Sequence, residues 1–282
     1  ENFSVVDNFN IECAILDNLR VSAGASITKG TSRMEVFKSM NHTDFLAEQD
    51  LTRKGSYNKS TGDNVSWSVN ASVNYNYTKD KHLLSLFGRW NVDESKSNSV
   101  NLSAMGFPND NMDDFLFAYE MEDRVSGTES TSRTVGIIGQ VSYMYDMRFS
   151  VDFSIRGDLS SQFGANTGMA PFWAAGARWN LHREKWLQNT IISNLVLRGS
   201  YGVTGSQSYS PYQAKETYSY DDLLFPYPSS DILGAQLKGM GNPDLGWSTT
   251  ENRSLAVEIG LWNSRVNASF SYYNNYTDVV RL

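Results

Sequence analysis

The run "NVSWSVNASVNYNYTKDKHLLSLFGRW", Asn64 to Trp90, decides the fold class. From Val65 to Tyr77 the odd positions are Val65, Trp67, Val69, Ala71, Val73, Tyr75 and Tyr77, and every even position between them is Ser or Asn. A side-chain period of two is that of a β-strand. Two environments suit such a strand. In one, the apolar face packs on a soluble core and the polar face meets bulk water. In the other, the apolar face meets lipid and the polar face a wet interior.

Composition narrows the choice only in part. A chain of 282 residues is long enough for one large core or two small domains. Its net charge is -7, only 20% of it is charged, and Lys and Arg form no cluster, which excludes a phosphate-binding surface. The single cysteine, Cys13, excludes an intrachain disulfide. No apolar run reaches the roughly 18 residues of a spanning helix. The mean hydropathy of -0.43 looks soluble, but alternating membrane strands also average out as polar. The start, "ENFSVVDNFNIEC", lacks the basic and apolar regions of a signal peptide, so the chain is expected to be mature or an internal piece.

The same period recurs along the chain and gives about ten strands, at 9–16, 19–40, 64–78, 81–104, 133–145, 148–160, 171–181, 194–203, 253–262 and 265–276. Their apolar stripes include Val135, Ile137, Val141, Tyr143; Phe149, Val151, Phe153, Ile155; Leu255, Val257, Ile259, Leu261; and Val266, Phe270, Tyr272. The sole helical candidate is short, "NLHREKWLQN" at 180–189.

Connection length carries the organisation. Tight turns at Asp17-Asn18, Thr78 to Lys81, Asp146-Met147 and Asn263-Ser264 alternate with long polar connections at 41–63, 105–132, 160–170 and 204–252. The 182–193 connection is intermediate and takes a short connection's place. Soluble domains rarely tolerate such long connections, whereas outer-membrane barrels pair short periplasmic turns with long external loops. Tyr75, Tyr77, Tyr143, Tyr145, Trp179 and Trp262 gather beside the short turns, as an interfacial girdle does. Several runs also reach the nine to eleven residues or so that a tilted spanning strand needs. The expected class is therefore all-β, an antiparallel transmembrane barrel.

No catalytic constellation is visible. His42, His82 and His182 stand apart from one another and from Cys13, and no metal-ligand spacing occurs. The acidic run Pro108 to Phe115, with Asp110, Asp113 and Asp114, offers oxygen ligands for calcium but lacks EF-hand spacing, and a solvated loop suits it better. "RGDLS", Arg156 to Ser160, resembles an adhesion motif but reads better as the outer end of a strand, with Asp158 and Ser160 opening the turn. Sequons such as Asn70-Ala71-Ser72 and Asn76-Tyr77-Thr78 recur because Asn and Ser line the polar face.

The 204–252 loop holds Tyr209, Tyr212, Tyr218, Tyr220, Phe225 and Tyr227 with Asp221, Asp222 and Asp231. Aromatic faces with flanking acids suit sugar rings and extended peptides alike. They equally suit packing of the loop on itself or against a partner.

Three segments carry a resemblance. "LVLRGSYGVTGSQSYSPYQ" places Leu197, Arg198, Ser200, Tyr201, Gly202, Thr204, Gly205 and Gln207 in the pattern L-R-x-S-Y-G-x-T-G-x-Q. Downstream, Gly241, Asn242, Pro243, Asp244, Leu245 and Trp247 match G-N-P-D-L-x-W; Ser248 stands where an acid is usual, and Ser271 where Asp is usual before Tyr272-Tyr273. "SIRGDLSSQFGANT" resembles R-x-D-G-S-S-x-F-G, with Leu159 at the usual Gly. In these features the chain resembles the SusC/RagA-like TonB-dependent outer-membrane transporters of Bacteroidetes, well over 130–282 and in style before that.

The resemblance implies a barrel of about 22 strands with an N-terminal plug. This chain is then expected to be an internal section of that barrel, without plug or closing strands. It also implies TonB-driven uptake of an oligosaccharide or peptide with a SusD-like surface lipoprotein as lid, and no cofactor. Non-transporting or adhesive surface barrels, and outer-membrane enzymes, are the rival classes. Read from the residues, "GNPDL" is a structural turn: Pro243 fixes one dihedral, Gly241 frees another and Asp244 caps.

Overall fold

The computed structural model describes residues 1–122, 125–187, 190–206, 209–221 and 234–278, with backbone alone at Tyr220, Asp221 and Gly234. The strands are β1 (Asn2–Leu16), β2 (Leu19–Lys38), β3 (Ser56–Lys79), β4 (His82–Met105), β5 (Glu120–Met121), β6 (Ser126–Tyr145), β7 (Phe149–Ser160), β8 (Ala170–Asn180), β9 (Ile192–Ser206), β10 (Thr217–Asp221), β11 (Gly234–Gly239), β12 (Ser248–Leu261) and β13 (Val266–Asp278). One 11-stranded sheet runs in the order β1-β2-β3-β4-β6-β7-β8-β9-β12-β13, with β5 paired to β4. β10 and β11 form a separate hairpin inside the 204–252 connection.

All ten expected strands are present, and most are longer at the ends that adjoin the long connections. β3 starts at Ser56 and β6 at Ser126, several residues earlier than the period-two contrast indicates. Apart from Tyr57, both faces of those extensions are polar, so the sequence alternation fades while the ladder continues. Over the described part of "NLHREKWLQN", residues 180–187, no α-helix forms. Leu181–Arg183 is a single 3-10 turn with no side-chain cap at Asn180, followed by i to i+3 bonds such as Leu187 N–H to Glu184 O at 3.0 Å. So short a segment cannot offset the cost of nucleating an α-helix. Its acid is engaged instead: Glu184 accepts from Arg148 at 3.3 Å and from Trp179 Nε1 at 3.2 Å.

The tight turns after β6 and β12 work by left-handed backbone. Asp146 and Met147 have φ of 50° and 52°, and Trp262, Asn263 and Ser264 lie at 51°, 53° and 61°. Positive φ at both central residues matches the twist of the flanking strands.

The chain divides into two compact units. The first comprises 1–9, 25–68 and 93–132. Its interior is aromatic: Phe107 is 1% exposed, and its ring meets those of Phe37 and Tyr57 edge-on at 5.3 and 6.3 Å. Phe115 stacks obliquely on Tyr57 at 4.7 Å. Gly55 and Gly106, both at φ 80°, let the two long connections touch, with Gly106 N–H donating to Gly55 O at 3.1 Å. The acidic run is part of this framework: Asp114 caps Leu116 N–H at 3.0 Å, and Asp110 accepts from Ser39 and Asn41.

The second unit comprises 10–24, 69–92 and 133–282. Its registers align like faces. The row Ser142, Asp152, Gly176, Ser200, Ser254 crosses five strands. The alternate face carries Val141, Phe153, Ala175, Tyr201, Arg253. Exposure is inverted relative to a soluble sheet. Val73, Val141, Val151, Phe153, Ile155 and Leu255 are all exposed, while the hydroxyls and amides of the other face bond one another. Ser22 pairs with Ser72 at 2.8 Å, Ser85 donates to Asn76 at 2.8 Å, and Ser200 pairs with Ser254 at 2.7 Å.

Beside the tight turns the expected aromatics pack laterally. Phe149 stacks on Trp179 at 5.4 Å, Tyr143 Oη bonds His82 at 2.7 Å, and Arg148 lies over the Tyr145 ring at 5.6 Å.

Candidate functional site

Three stretches singled out in the sequence meet at one end of the second unit. Phe163, at the end of "SIRGDLSSQF", contacts Trp247 with ring centroids 4.6 Å apart, and Phe172 meets the same indole edge-on at 5.2 Å. Gly164 N–H donates to Leu245 O at 2.9 Å and Asn166 N–H to Pro243 O at 3.0 Å. Asn166 Nδ2 reaches Asp244 Oδ1 at 2.8 Å, and Thr167 Oγ1 reaches Leu245 O at 2.9 Å. Leu245 itself is fully buried.

Inside the turn, Asn242 Oδ1 accepts from Asp244 N–H at 3.0 Å, an Asx turn, so Asn242 is the capping side chain that Asp244 was expected to be. Asp244 instead holds the neighbouring loop. Gly205 belongs to the same junction, since a Cβ there would overlap the Phe172 ring. Gly202 lies against Ala174, and a Cβ on Gly241 would approach Ala214 O to 2.8 Å. Gly205, Asn242, Pro243, Asp244 and Trp247 are therefore packing positions of one clasp, whereas Gly202 packs against β8 and Gly241 against residues 214–216.

Arg198 and Tyr201 lie elsewhere, on opposite faces of β9. Arg198 is on the polar face, 3.1 Å from Glu258. Tyr201 is on the apolar face, where its ring meets Trp173 at 5.4 Å and Arg253 at 5.7 Å. Asp158 does not open a turn: it is a strand residue, 9% exposed, ion-paired to Arg156 at 2.6 Å.

The loop aromatics are dispersed. Tyr209 packs edge-on against Phe163 at 6.1 Å, so it belongs to the clasp. Tyr212, at φ 68°, lies 5.8 Å from the Lys215 ammonium. Tyr218 is exposed on β10 and donates to Glu216 at 3.0 Å, which raises its phenol pKa. The Tyr220 side chain, Phe225 and Tyr227 lie outside the described residues.

A different feature, invisible as a motif, is the hollow of about 880 Å³ on the polar face of the second unit. Asn76, Ser142, Asp152, Arg178, Arg198 and Ser254 are among its lining residues. They come from β3, β6, β7, β8, β9 and β12 and share one side only because of strand register. Among the described residues, no group of three His, Cys, Asp or Glu side chains is placed to hold a metal ion.

A sheet whose apolar face is exposed and whose polar face is hydrogen-bonded within itself has the character of a barrel wall. The family described as TonB dependent receptor-like, beta-barrel matches residues 15–280. The chain belongs to the TonB-dependent receptor family. It is thus part of a transmembrane β-barrel, with its polar face toward the lumen and its apolar face toward lipid. TonB-dependent receptor P3 of Formosa agariphila is 26% identical over 255 residues, covering 88% of this chain and 23% of that protein. TonB-dependent receptor SusC of Bacteroides thetaiotaomicron is 24% identical over 147 residues, covering 51% of this chain and 15% of that protein. The chain spans about a quarter of the length of the first curated relatives it matches. Among solved structures, the RagAB peptide transporter superposes with a TM-score of 0.86 at 21% identity, over 98% of this chain and 30% of that one. At that identity the likeness shows a shared fold.

Proposed function

We propose that this chain supplies wall and outer loops to a TonB-dependent importer that carries a nutrient, an oligosaccharide or a peptide, across the outer membrane. In this reading the chain is an internal arc of a longer barrel. A plug within that barrel couples to TonB, and a SusD-like lipoprotein covers the outer loops. The observation that carries the reading is the hydroxyl- and amide-lined face, hollowed at Gly176 and Ser254, behind an exposed apolar face. Such a wall encloses a wet path through lipid. The work is binding and gated passage, with no bond chemistry.

The rigid loops support the lid. The Phe107 cluster and the Trp247 clasp are preformed, so a partner docking there loses little loop entropy. The test is extraction of the full-length receptor in mild detergent from cells that express its neighbours, paired with growth on oligosaccharide or peptide as sole nutrient. Co-purification of a lipoprotein, with growth lost on deletion, is the expected result. Absence of both contradicts uptake.

A further inference from the structure

The lumenal face of the second unit carries a charge that its own residues leave unanswered. Arg178 of β8 and Arg198 of β9 are direct register partners, and like charges placed opposite each other on neighbouring strands repel. Arg198 is compensated, 3.1 Å from Glu258. Arg178 is not. Its Nε donates to the neutral Asn180 Oδ1 at 2.9 Å, and among the described residues no carboxylate lies within ion-pair distance.

Both arginines line the 880 Å³ hollow. Its floor is made of small residues: Gly176, Ser200, Ser254 and Ala256. Gly176 is informative. A Cβ built there would have nothing nearer than 3.8 Å, so strand packing does not demand glycine. The missing side chain leaves space beside an uncompensated cation. Asp152, the register partner of Gly176, lines the same hollow and supplies an acceptor across from Arg178. A visitor that fits presents a carboxylate to Arg178 and N–H or O–H groups to Asp152 and the serines.

We propose that Arg178, with Arg198 beside it, receives a carboxylate brought into the lumen from outside this chain. The proposal rests on the reading of this chain as a transporter wall. The carboxylate has two sources of the same chemistry: an acidic side chain of the domain that fills the barrel, or a carboxylate-bearing solute in transit. A planar guanidinium holds either by paired hydrogen bonds.

The test uses the full-length receptor with Arg178→Gln, Arg178→Lys and Gly176→Val. The Val variant fills the hollow while both arginines remain. Two readouts are taken: hydrogen exchange of the lumen-filling domain without ligand, and the melting midpoint under a sodium succinate titration against sodium chloride. If a domain carboxylate is the occupant, one of its acidic segments exchanges about tenfold faster or more in R178Q and G176V, and less so in R178K, the scale of one lost charge-assisted hydrogen bond. If a solute is the occupant, succinate raises the midpoint of wild type and R178K but not of R178Q or G176V. Unchanged exchange together with no succinate-specific shift in wild type overturns the site. Uptake is measured in the same cells. Normal uptake beside two negative readouts contradicts the site alone, whereas absent uptake in wild type contradicts the transporter reading and leaves the binding result standing.

Discussion

The indole of Trp247 lies against the ring of Phe163, 4.6 Å between centroids, and joins two loops that are far apart in sequence. The backbone bonds Gly164 N–H to Leu245 O and Asn166 N–H to Pro243 O run beside that contact. The clasp is thus a small hydrophobic core with its own hydrogen-bonded rim, set at the ends of β7, β8, β9 and β12.

Truncation of the buried apolar part should open it. Leu245 is fully buried, so Leu245→Ala is expected to cost the clasp about 3 kcal/mol. Amide exchange at Gly164 and Asn166 then accelerates roughly a hundredfold, while β6 and β7 amides are unaffected. Uniform acceleration across the sheet would show that the clasp is not a separate unit.

Gly164 is a steric requirement rather than a hinge. A Cβ there would overlap the Pro243 carbonyl, which is backbone and cannot swing away. Gly164→Ala should therefore break both loop-to-loop bonds and expose 161–169 to protease. Gly176→Ala, on the same unit, adds a Cβ that meets nothing nearer than 3.8 Å and should leave the digestion pattern unchanged.

The turn between β6 and β7 has a pH dependence of known sign. A hydrogen bond from Lys81, with Arg148 close by, holds the Asp146 carboxyl below its ordinary value of 3.8. A carboxylate with a lowered native pKa stabilises the fold above its unfolded value, and loses that contribution as pH falls through the native one. Exchange protection of the 146–148 turn should therefore be flat from neutral pH to about 4 and fall only below that. Lys81→Met should move the onset upward. A turn that loosens between pH 5 and 7 would assign the effect to another group.

The two faces predict opposite tolerance. Phe153→Arg places a charge on the lipid face and is expected to destabilise the membrane-inserted barrel by about 2–4 kcal/mol. Ser154→Arg, one residue along and on the lumenal face, should cost less than about 1 kcal/mol, since water or polar groups meet it there. Denaturant titration of the full-length receptor refolded into liposomes measures both.

Much of this was legible in the sequence because a single physical rule, alternation against lipid, governs the spanning segments. Val141, Tyr143, Phe153 and Ile155 fall on the face expected of them. The outer ends of β3 and β6 were not legible, because above the membrane neither face is constrained to be apolar and the alternation disappears. The loop interiors were hidden for another reason. Phe107 meets Tyr57, and Trp247 meets Phe163, by long-range packing that no local pattern encodes. The β10–β11 hairpin was hidden within a Tyr-rich connection that reads as irregular. Arg178 was missed altogether, because its meaning depends on Arg198 standing opposite it, and register is a property of the sheet.

The central claim is that the Val65 to Tyr77 stripe faces lipid while its Ser and Asn neighbours face the lumen. Spin labels at Val69, Val73, Asn70 and Ser72, introduced singly in full-length receptor with Cys13→Ser and reconstituted in liposomes, test it most directly. Labels at Val69 and Val73 should collide with lipid-soluble oxygen in preference to a water-soluble nickel chelate, and labels at Asn70 and Ser72 should show the reverse preference or exclude both. Higher oxygen than nickel accessibility at Asn70 and Ser72, with Val69 and Val73 excluded from both, would place the apolar face in a protein core and contradict the account.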